Sequence, residues 1–366
     1  MTGQDETVFL GRTVNRRRFI RDVSLGVAGS GMLLSGLAGD HRKIEAAAGL
    51  KKRPLGRSGL AISEISLGGH YDGLGWKAKG SKSQDLREKI LLAAVKRGVN
   101  FLDTNYDYER ESLGLALQKL KLRDKVFLAT DVNQRWAMRE DTKAGVLARF
   151  RTQLELLKTD HVELLRLTSY PVTLNLDAIA GYVDAALELR REGRVRVISL
   201  SNHNPDFLIR ILNEFPEIDA IYTPYNYLMQ GAAEKFFPLA AEKNIGVIVI
   251  KPFAKGAMFK LEEQRRQKPR NDIQERLQNS PGSLDKLPRA KRESIARANL
   301  RFILANPNVS CAIPGMETVA ELEDNIGASG GEYSLNDGHL LKRQTSGWEA
   351  NLPGKHGWMR EWRGRA

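Results

Sequence analysis

Short apolar runs alternate with longer amphipathic segments along most of the chain. Runs such as VNFLDT (99–104), KVFLAT (125–130) and VRVISLSN (195–202) have the length of buried strands. The segment 83–98 repeats its apolar residues at helical spacing and stops at glycine, a typical residue after a helix. Eight strand–helix pairs follow one another without a domain-sized linker. This alternation predicts an α/β protein whose parallel strands close into a (β/α)8 TIM barrel.

The pattern also predicts the limits of the barrel and two irregular segments. We assign residues 49–335 to a single barrel domain, whose first strand is predicted within LAISEISLGG (60–69), and residues 336–366 to a C-terminal tail. A charged insertion at 260–290 follows the seventh strand, where it is either a solvated loop or a lid over the mouth. The tryptophan-containing tail either packs, frays, covers the mouth or mediates association.

The first 48 residues have the layout of an export signal. Three arginines at 16–18 precede a mildly apolar stretch at 23–39, interrupted by glycines, and small residues follow at 46–48. The paired arginines resemble a twin-arginine signal, which predicts the twin-arginine machinery as a partner and a periplasmic protein. The apolar stretch is short for a membrane span, so no stable membrane association is expected after cleavage. An amphipathic anchor helix is the alternative.

Composition and charge exclude some classes of function. The chain of 366 residues carries a formal net charge of +13, but its basic residues are interspersed with acidic ones and form no stripe with aromatics. A nucleic-acid partner is therefore not expected. The single Cys311 excludes an internal disulfide and a cysteine-rich metal centre.

Four segments together resemble the aldo/keto reductase family over about residues 52–330. They are RPLGRSGLAISEISLGG, AVKRGVNFLDTNYDY, GRVRVISLSN and LRFILANPNVSCAIPGMETVAELEDN. The resemblance implies reversible hydride transfer between NADPH and a carbonyl, and we expect a carbonyl or sugar-like small molecule as the substrate. It also implies a tyrosine that protonates the developing alkoxide, a lysine that lowers the pKa of that tyrosine, an aspartate beside the lysine, and a histidine that polarises the carbonyl.

Two of these four catalytic positions hold the expected residue. Asp103 and Tyr108 match the family aspartate and tyrosine. Asp131 stands where the lysine belongs, and Thr168 stands where the histidine belongs. A second carboxylate near Tyr108 is expected to disfavour its phenolate. It is also expected to repel Asp103, so that one carboxyl holds a proton or a cation lies between the two.

Other side chains at the predicted mouth are candidates to replace the missing groups. Lys251 follows the seventh strand, His203 the fifth, and His70 the first, while Tyr106 precedes Tyr108 by two residues. Each has an equally ordinary interpretation as a solvated or backbone-bonded loop residue.

The cofactor positions of the family are only partly matched. Tyr222 replaces the usual glutamine, and Glu321 replaces an arginine that meets the 2′-phosphate, which favours NAD over NADP. The predicted cofactor-binding residues are Ser201, Asn202, Tyr222, Lys251, Pro252, Gly315, Met316, Glu321 and Asn325.

Three functions remain open from the sequence. The first is an exported NAD(P)-dependent oxidoreductase with altered acid/base residues. The second is a non-catalytic barrel that binds a carbonyl or sugar-like ligand. The third is a non-redox enzyme that uses Asp103 and Asp131 as an acid/base pair or as ligands of a hard cation, although no metal site is assigned.

Overall fold

The computed structural model describes residues 50–68, 81–133, 142–168, 176–254, 258–259 and 289–346. All of them belong to one compact unit, Ala48–Ala366. The signal segment 1–48, His70, nearly all of the insertion 260–290 and the chain after 346 lie outside the described residues.

A parallel sheet forms the centre of the described unit. Its strands are β3 (Phe101–Asp103), β4 (Phe127–Asn133), β5 (Val162–Thr168), β6 (Val195–Ser201), β7 (Ala220–Pro224), β8 (Gly246–Ile250) and β9 (Cys311–Ala312), preceded by a hairpin of β1 (Lys52–Pro54) and β2 (Ala61–Ser63). The seven parallel strands pair in sequence order, as expected when each connection is a helical crossover. Their register places Asp103 beside Ala129 and Asp131 beside Arg166.

Residues 65–67 close the sheet into a barrel. Ile65 forms a parallel bridge to Ala312 in β9, and Leu67 forms one to Leu102 in β3. The amide of Asp103 also donates to the carbonyl of Leu67 at 3.0 Å. The predicted barrel is therefore confirmed. Its first strand is shorter than predicted, because LAISEISLGG divides between β2 of the hairpin and this closing segment.

Helices cover the outside of the sheet. In chain order they are α1 (Ser81–Lys96), α2 (Asp107–Leu120), α3 (Thr142–Leu157), α4 (Leu176–Arg191), α5 (Pro205–Glu214), α6 (Gly231–Lys235), α7 (Phe237–Glu242), α8 (Arg289–Leu304), α9 (Val319–Ile326) and α10 (Leu335–Thr345). One apolar core lies between helices and sheet, and a second fills the barrel interior. The strands are buried on both faces, which explains their continuous apolar runs.

The β1–β2 hairpin closes the amino end of the barrel. Leu55 and Ile62 join the interior core there. Gly56 has a φ of +49°, and a Cβ at this position would lie 2.3 Å from the amide nitrogen of Gly246. Only glycine therefore lets the hairpin approach the barrel this closely.

The boundary that the sequence suggests at 335 coincides with the start of α10. Ser334 caps this helix, and Arg301 of α8 pairs with Asp337. Leu341 is buried against Met258 and Ile295. This part of the predicted tail therefore packs on the barrel. None of the helices within the described ranges combines the length and apolar character that a bilayer crossing requires.

Candidate active site

Asp103 ends β3 at the carboxyl end of the barrel and is paired with a buried arginine. Nη1 of Arg166, which projects inward from β5, donates to both Asp103 carboxylate oxygens at 2.8 and 3.0 Å. Nη2 of the same side chain donates to Asn105 Oδ1 at 3.0 Å. Arg166 is only 4% exposed, so the ion pair is shielded from water and weakly screened.

Asp131 has a different buried arginine as its partner. Arg110, which is 1% exposed, reaches from α2 and donates to Asp131 Oδ1 at 2.5 Å. The other carboxylate oxygen accepts from the Thr168 hydroxyl at 2.9 Å. Arg110 also donates to Thr130 Oγ1 at 2.8 Å. The two positions that differ from the family pattern, 131 and 168, are therefore hydrogen-bonded to each other.

The expected cation near the two carboxylates is supplied by the protein itself. Each carboxylate has its own guanidinium, so no shared ion is required between Asp103 and Asp131. Burial raises the pKa of Asp103, Arg166 opposes that rise, and the negative charges of Asp131 and Glu109 add to it. The predicted repulsion between Asp103 and Asp131 is thus present. It acts in the same direction as burial, and Arg166, which has a larger effect on the Asp103 pKa than Asp131 does, opposes both.

Tyr222 lies beneath Arg166 in the barrel interior. The guanidinium carbon lies 4.4 Å from the centroid of the Tyr222 ring, within cation–π distance. Burial and then the charge of Asp103 raise the pKa of Tyr222 well above 10.0. Tyr222, a predicted cofactor residue, has no exposed surface, and its ring contacts Arg166. Its role in cofactor binding stays a prediction.

Tyr108 and Tyr106 form an aromatic pair at the start of α2. Their rings stack with centroids 5.5 Å apart and an angle of 12° between their planes. Tyr106 is 45% exposed, and the Tyr108 hydroxyl donates to Glu109 Oε1 at 3.4 Å. Arg87 lies 5.7 Å from the Tyr108 ring centroid. Tyr108 is therefore surrounded by charged groups other than the lysine of the family pattern.

Lys251 and His203 meet on another side of the mouth. Lys251 Nζ lies 2.6 Å from His203 Nε2. Asn226 donates its side-chain amide to the Lys251 carbonyl at 2.9 Å, and Asn299 does the same to the Pro252 carbonyl at 2.7 Å. Both asparagines are buried. The loop after β8 is therefore held by two internal clamps.

The nicotinamide end of the predicted cofactor site keeps its two polar residues. Ser201 ends β6 and Asn202 follows it, and both are buried at the carboxyl end of the barrel. Asn202 Oδ1 accepts a hydrogen bond from the backbone amide of Asn204 at 2.7 Å. The backbone amide of Asn202 donates to the Tyr222 carbonyl at 3.2 Å. These bonds fix the turn between β6 and α5.

The predicted phosphate and adenine residues lie around the start of α9. Gly315 is exposed, whereas Met316 and Asn325 are buried. The carboxylate of Glu321 accepts from the Glu317 amide at 2.6 Å, and its own amide donates to Thr318 Oγ1 at 3.1 Å. The helix start therefore carries an acidic side chain at position 321, and the contact of this position with a 2′-phosphate stays a prediction.

Sequence reasoning missed the two arginines of this site. Arg166 lies within the apolar strand LLRLTS. Alternate residues of a strand share one face, so Arg166 shares the inward face with Leu164 and Thr168, and this alternation could have identified it. Arg110 lies in the charged sequence YERE and looks like a solvated helix residue. Within the described ranges there is no group of three or more histidine, cysteine or acidic side chains arranged to hold a metal ion.

Comparison with known proteins gives consistent relatives. A model of the aldo/keto reductase family matches residues 64–337. The chain is 28% identical to the uncharacterized oxidoreductase YqkF of Bacillus subtilis (strain 168), over 76% of this chain and 91% of the relative. It is 25% identical to the NADH-specific methylglyoxal reductase of Escherichia coli (strain K12), over 57% of this chain and 69% of the relative.

A solved structure shares the fold. The aldo-keto reductase from Klebsiella pneumoniae in complex with NADPH has a TM-score of 0.60 and 19% sequence identity. The match covers 80% of this chain and 94% of that chain.

Proposed function

The chain belongs to the aldo/keto reductase family, and from this we propose that it is an oxidoreductase acting on the carbonyl of a small, sugar-like molecule. Bound NAD(H) would supply or accept the hydride at the carboxyl end of the barrel. The acid/base groups differ from those of the family, since Asp131 and Thr168 replace the lysine and histidine.

The observation that carries this proposal is the Asp103–Arg166 pair. Asp103 keeps a cationic partner at the mouth, but the cation comes from β5 rather than from the end of β4. Among the described residues, none accepts a hydrogen bond from the Arg166 Nε–H, although this group is buried. A developing alkoxide is an acceptor that would satisfy a buried donor of this kind.

The proposal divides two roles between two residues. The guanidinium of Arg166 stays protonated at any physiological pH, so it stabilises negative charge but does not give up a proton. In this scheme the Tyr108 hydroxyl supplies the proton to the substrate oxygen, as it does in the family reaction.

The residues present fit the nicotinamide end of the cofactor better than a 2′-phosphate. In this proposal Ser201 and Asn202 would hold the carboxamide, and Lys251 and Pro252 follow β8 at the same end of the barrel. Glu321 stands at the position of the family arginine that contacts the 2′-phosphate, so Coulomb repulsion is expected to weaken NADPH binding.

A fluorescence titration with NADH and NADPH tests the cofactor assignment. We expect NADH to bind more tightly, and Glu321→Arg to strengthen NADPH binding about tenfold or more with little change for NADH. Glu332→Arg makes the same charge change at another exposed glutamate and serves as the control. The proposed function is refuted if neither nucleotide shows saturable binding at millimolar concentration.

The hydrogen bond between Asp131 and Thr168 favours a second candidate function, a barrel that binds a ligand without turnover. Arg110 and Thr168 occupy both carboxylate oxygens of Asp131, so this side chain is held as a structural element. The two candidates separate in the same titration when NADH binds. Stopped-flow oxidation of the bound NADH by simple aldehydes supports the oxidoreductase, whereas binding with no hydride transfer supports the second candidate.

Export by the twin-arginine route is a separate proposal that rests on Arg16 and Arg17. The double variant Arg16→Lys/Arg17→Lys keeps the charge but is expected to retain the protein in the cytoplasm of a bacterial host. Fractionation followed by immunoblotting measures this, with Arg42→Lys as the matched control. Equal periplasmic amounts of the double variant and the parent protein would count against this route.

A further inference from the structure

The Lys251 amine and the His203 imidazole form a pair to which the proposed hydride transfer assigns no acid/base role. Lys251 comes directly after β8, and His203 lies two residues after β6. Their side chains therefore meet across the end of β7, which lies between those two strands in the sheet. The carboxyl ends of the strands are where barrels of this type hold reactive groups.

The distance between the two nitrogens restricts their protonation. At 2.6 Å, Lys251 Nζ and His203 Nε2 share one proton, because one nitrogen must offer a lone pair to the other. His203 is only 5% exposed, and such an environment disfavours the presence of two positive charges. Transfer of the shared proton to Nε2 leaves a neutral amine, which is the nucleophilic form of lysine.

The backbone around this lysine is held in an unfavourable conformation. Lys251 has a φ of 52°, in the left-handed region that non-glycine residues seldom adopt. The bond from Asn226 to the Lys251 carbonyl maintains this conformation, and the bond from Asn299 to Pro252 supports the next residue. Strained residues that persist in this way are concentrated at functional sites. Lys251 also keeps part of its surface exposed at the mouth.

We propose that Lys251 is an amine nucleophile that forms an imine with a small aldehyde or ketone, with His203 as its base. His203 Nε2 takes the proton from Lys251 Nζ, and Nζ adds to the carbonyl carbon to give a carbinolamine. His203 Nε2 returns its proton to the carbonyl oxygen and Nζ supplies a second proton, so that this oxygen leaves as water while the C=N bond forms and a protonated imine remains. This reaction involves no net oxidation or reduction and needs no nicotinamide. It therefore goes beyond the proposed hydride transfer and can succeed or fail independently of it.

Reductive trapping of the full-length protein tests this proposal. The folded protein is treated briefly with propanal and sodium cyanoborohydride, and alkylation of each lysine is measured by peptide mass spectrometry. We expect Lys251 to be alkylated about tenfold faster than the exposed residues Lys89 and Lys235, because its neighbour removes the proton that blocks attack. A rate at Lys251 equal to or below that of Lys89 in the unmodified sequence overturns the proposal.

A pair of variants separates the base from a general effect of the fold. His203→Asn keeps a hydrogen-bond acceptor near Lys251 but does not accept a proton, so alkylation at Lys251 is expected to fall to the rate of Lys89. His161→Asn, at an exposed histidine before β5, is expected to leave the ratio unchanged. Circular dichroism checks that both variants are folded. If fast alkylation of Lys251 persists in the His203 variant, the assigned role of His203 is wrong.

Discussion

Asp131→Lys lowers the free energy of unfolding by about 3–5 kcal/mol and does not restore the family's catalytic lysine. The substitution removes the carboxylate that neutralises Arg110 and places a second cation beside this buried guanidinium. It also removes the acceptor of the Thr168 hydroxyl. Urea denaturation measures the loss of stability, and carbonyl reduction with NADH measures activity.

A compensating variant identifies the cause of that loss. Asp131→Lys combined with Arg110→Met leaves a single cation in the cluster, and we expect it to recover most of the stability. Asp131→Asn removes only the charge and is expected to be less damaging than lysine. If the single Asp131→Lys variant is as stable as the parent protein, the contacts of Asp131 with Arg110 and Thr168 do not contribute to the free energy of unfolding as the structure indicates.

Arg166→Met produces a second large loss, and this one depends on pH. The substitution leaves the Asp103 carboxylate buried without its main cation, which costs about 3–5 kcal/mol at neutral pH. Burial already raises the pKa of Asp103 above its ordinary value of 3.8, and removal of Arg166 raises it further. The folded variant therefore binds the Asp103 proton more tightly than the unfolded chain does.

The sign of the pH dependence follows from this difference. A carboxyl group whose folded-state pKa is raised stabilises the protein only while it is protonated, so stability falls as the pH rises from its unfolded pKa through the raised value. The variant is therefore expected to resemble the parent protein most closely at about pH 4, close to the pKa of aspartate in the unfolded chain. Thermal melting across the range from acid to neutral pH measures the slope.

A double variant provides the control for this slope. Asp103→Asn combined with Arg166→Met removes both charges, and we expect the additional pH dependence to disappear. Arg196→Met, at an exposed position of β6, should change stability by no more than about 0.5 kcal/mol. If the single and double variants show the same slope, the pH dependence does not come from Asp103.

The order of strands and helices could be predicted because each element leaves a local pattern. Apolar runs mark the strands, helical spacing marks the helices, and Gly98 ends α1 as the pattern predicts. The position of the first barrel strand was less predictable, since residues 60–69 have the pattern of one uninterrupted strand-forming run. The hairpin contact at Gly56 and the closure at 65–67 divide that run, and both depend on partners far away in the chain.

The partners of the site residues were less accessible than their positions. The sequence locates Asp103 and Asp131 at the ends of neighbouring strands. Asp103 ends β3, whereas β4 continues two residues beyond Asp131 to Asn133. The sequence does not indicate which cation each carboxylate binds. Arg110 comes from a helix and Arg166 from another strand, so both pairings depend on the tertiary structure.

Closure of the barrel at residues 65–67 joins segments that are distant in sequence and lies beside the candidate site. The bridge between Ile65 and Ala312 joins segments almost at opposite ends of the described unit, and the entropy lost in closing a loop grows with its length. The closing segment at residues 65–67 is also short, so local opening of the barrel is expected to begin there rather than between the longer central strands. The carbonyl of Leu67, on the same segment, accepts a hydrogen bond from the Asp103 amide. Opening of this segment would therefore admit water to the Asp103–Arg166 pair. The strength of the Asp103–Arg166 ion pair therefore depends on the stability of barrel closure at residues 65–67.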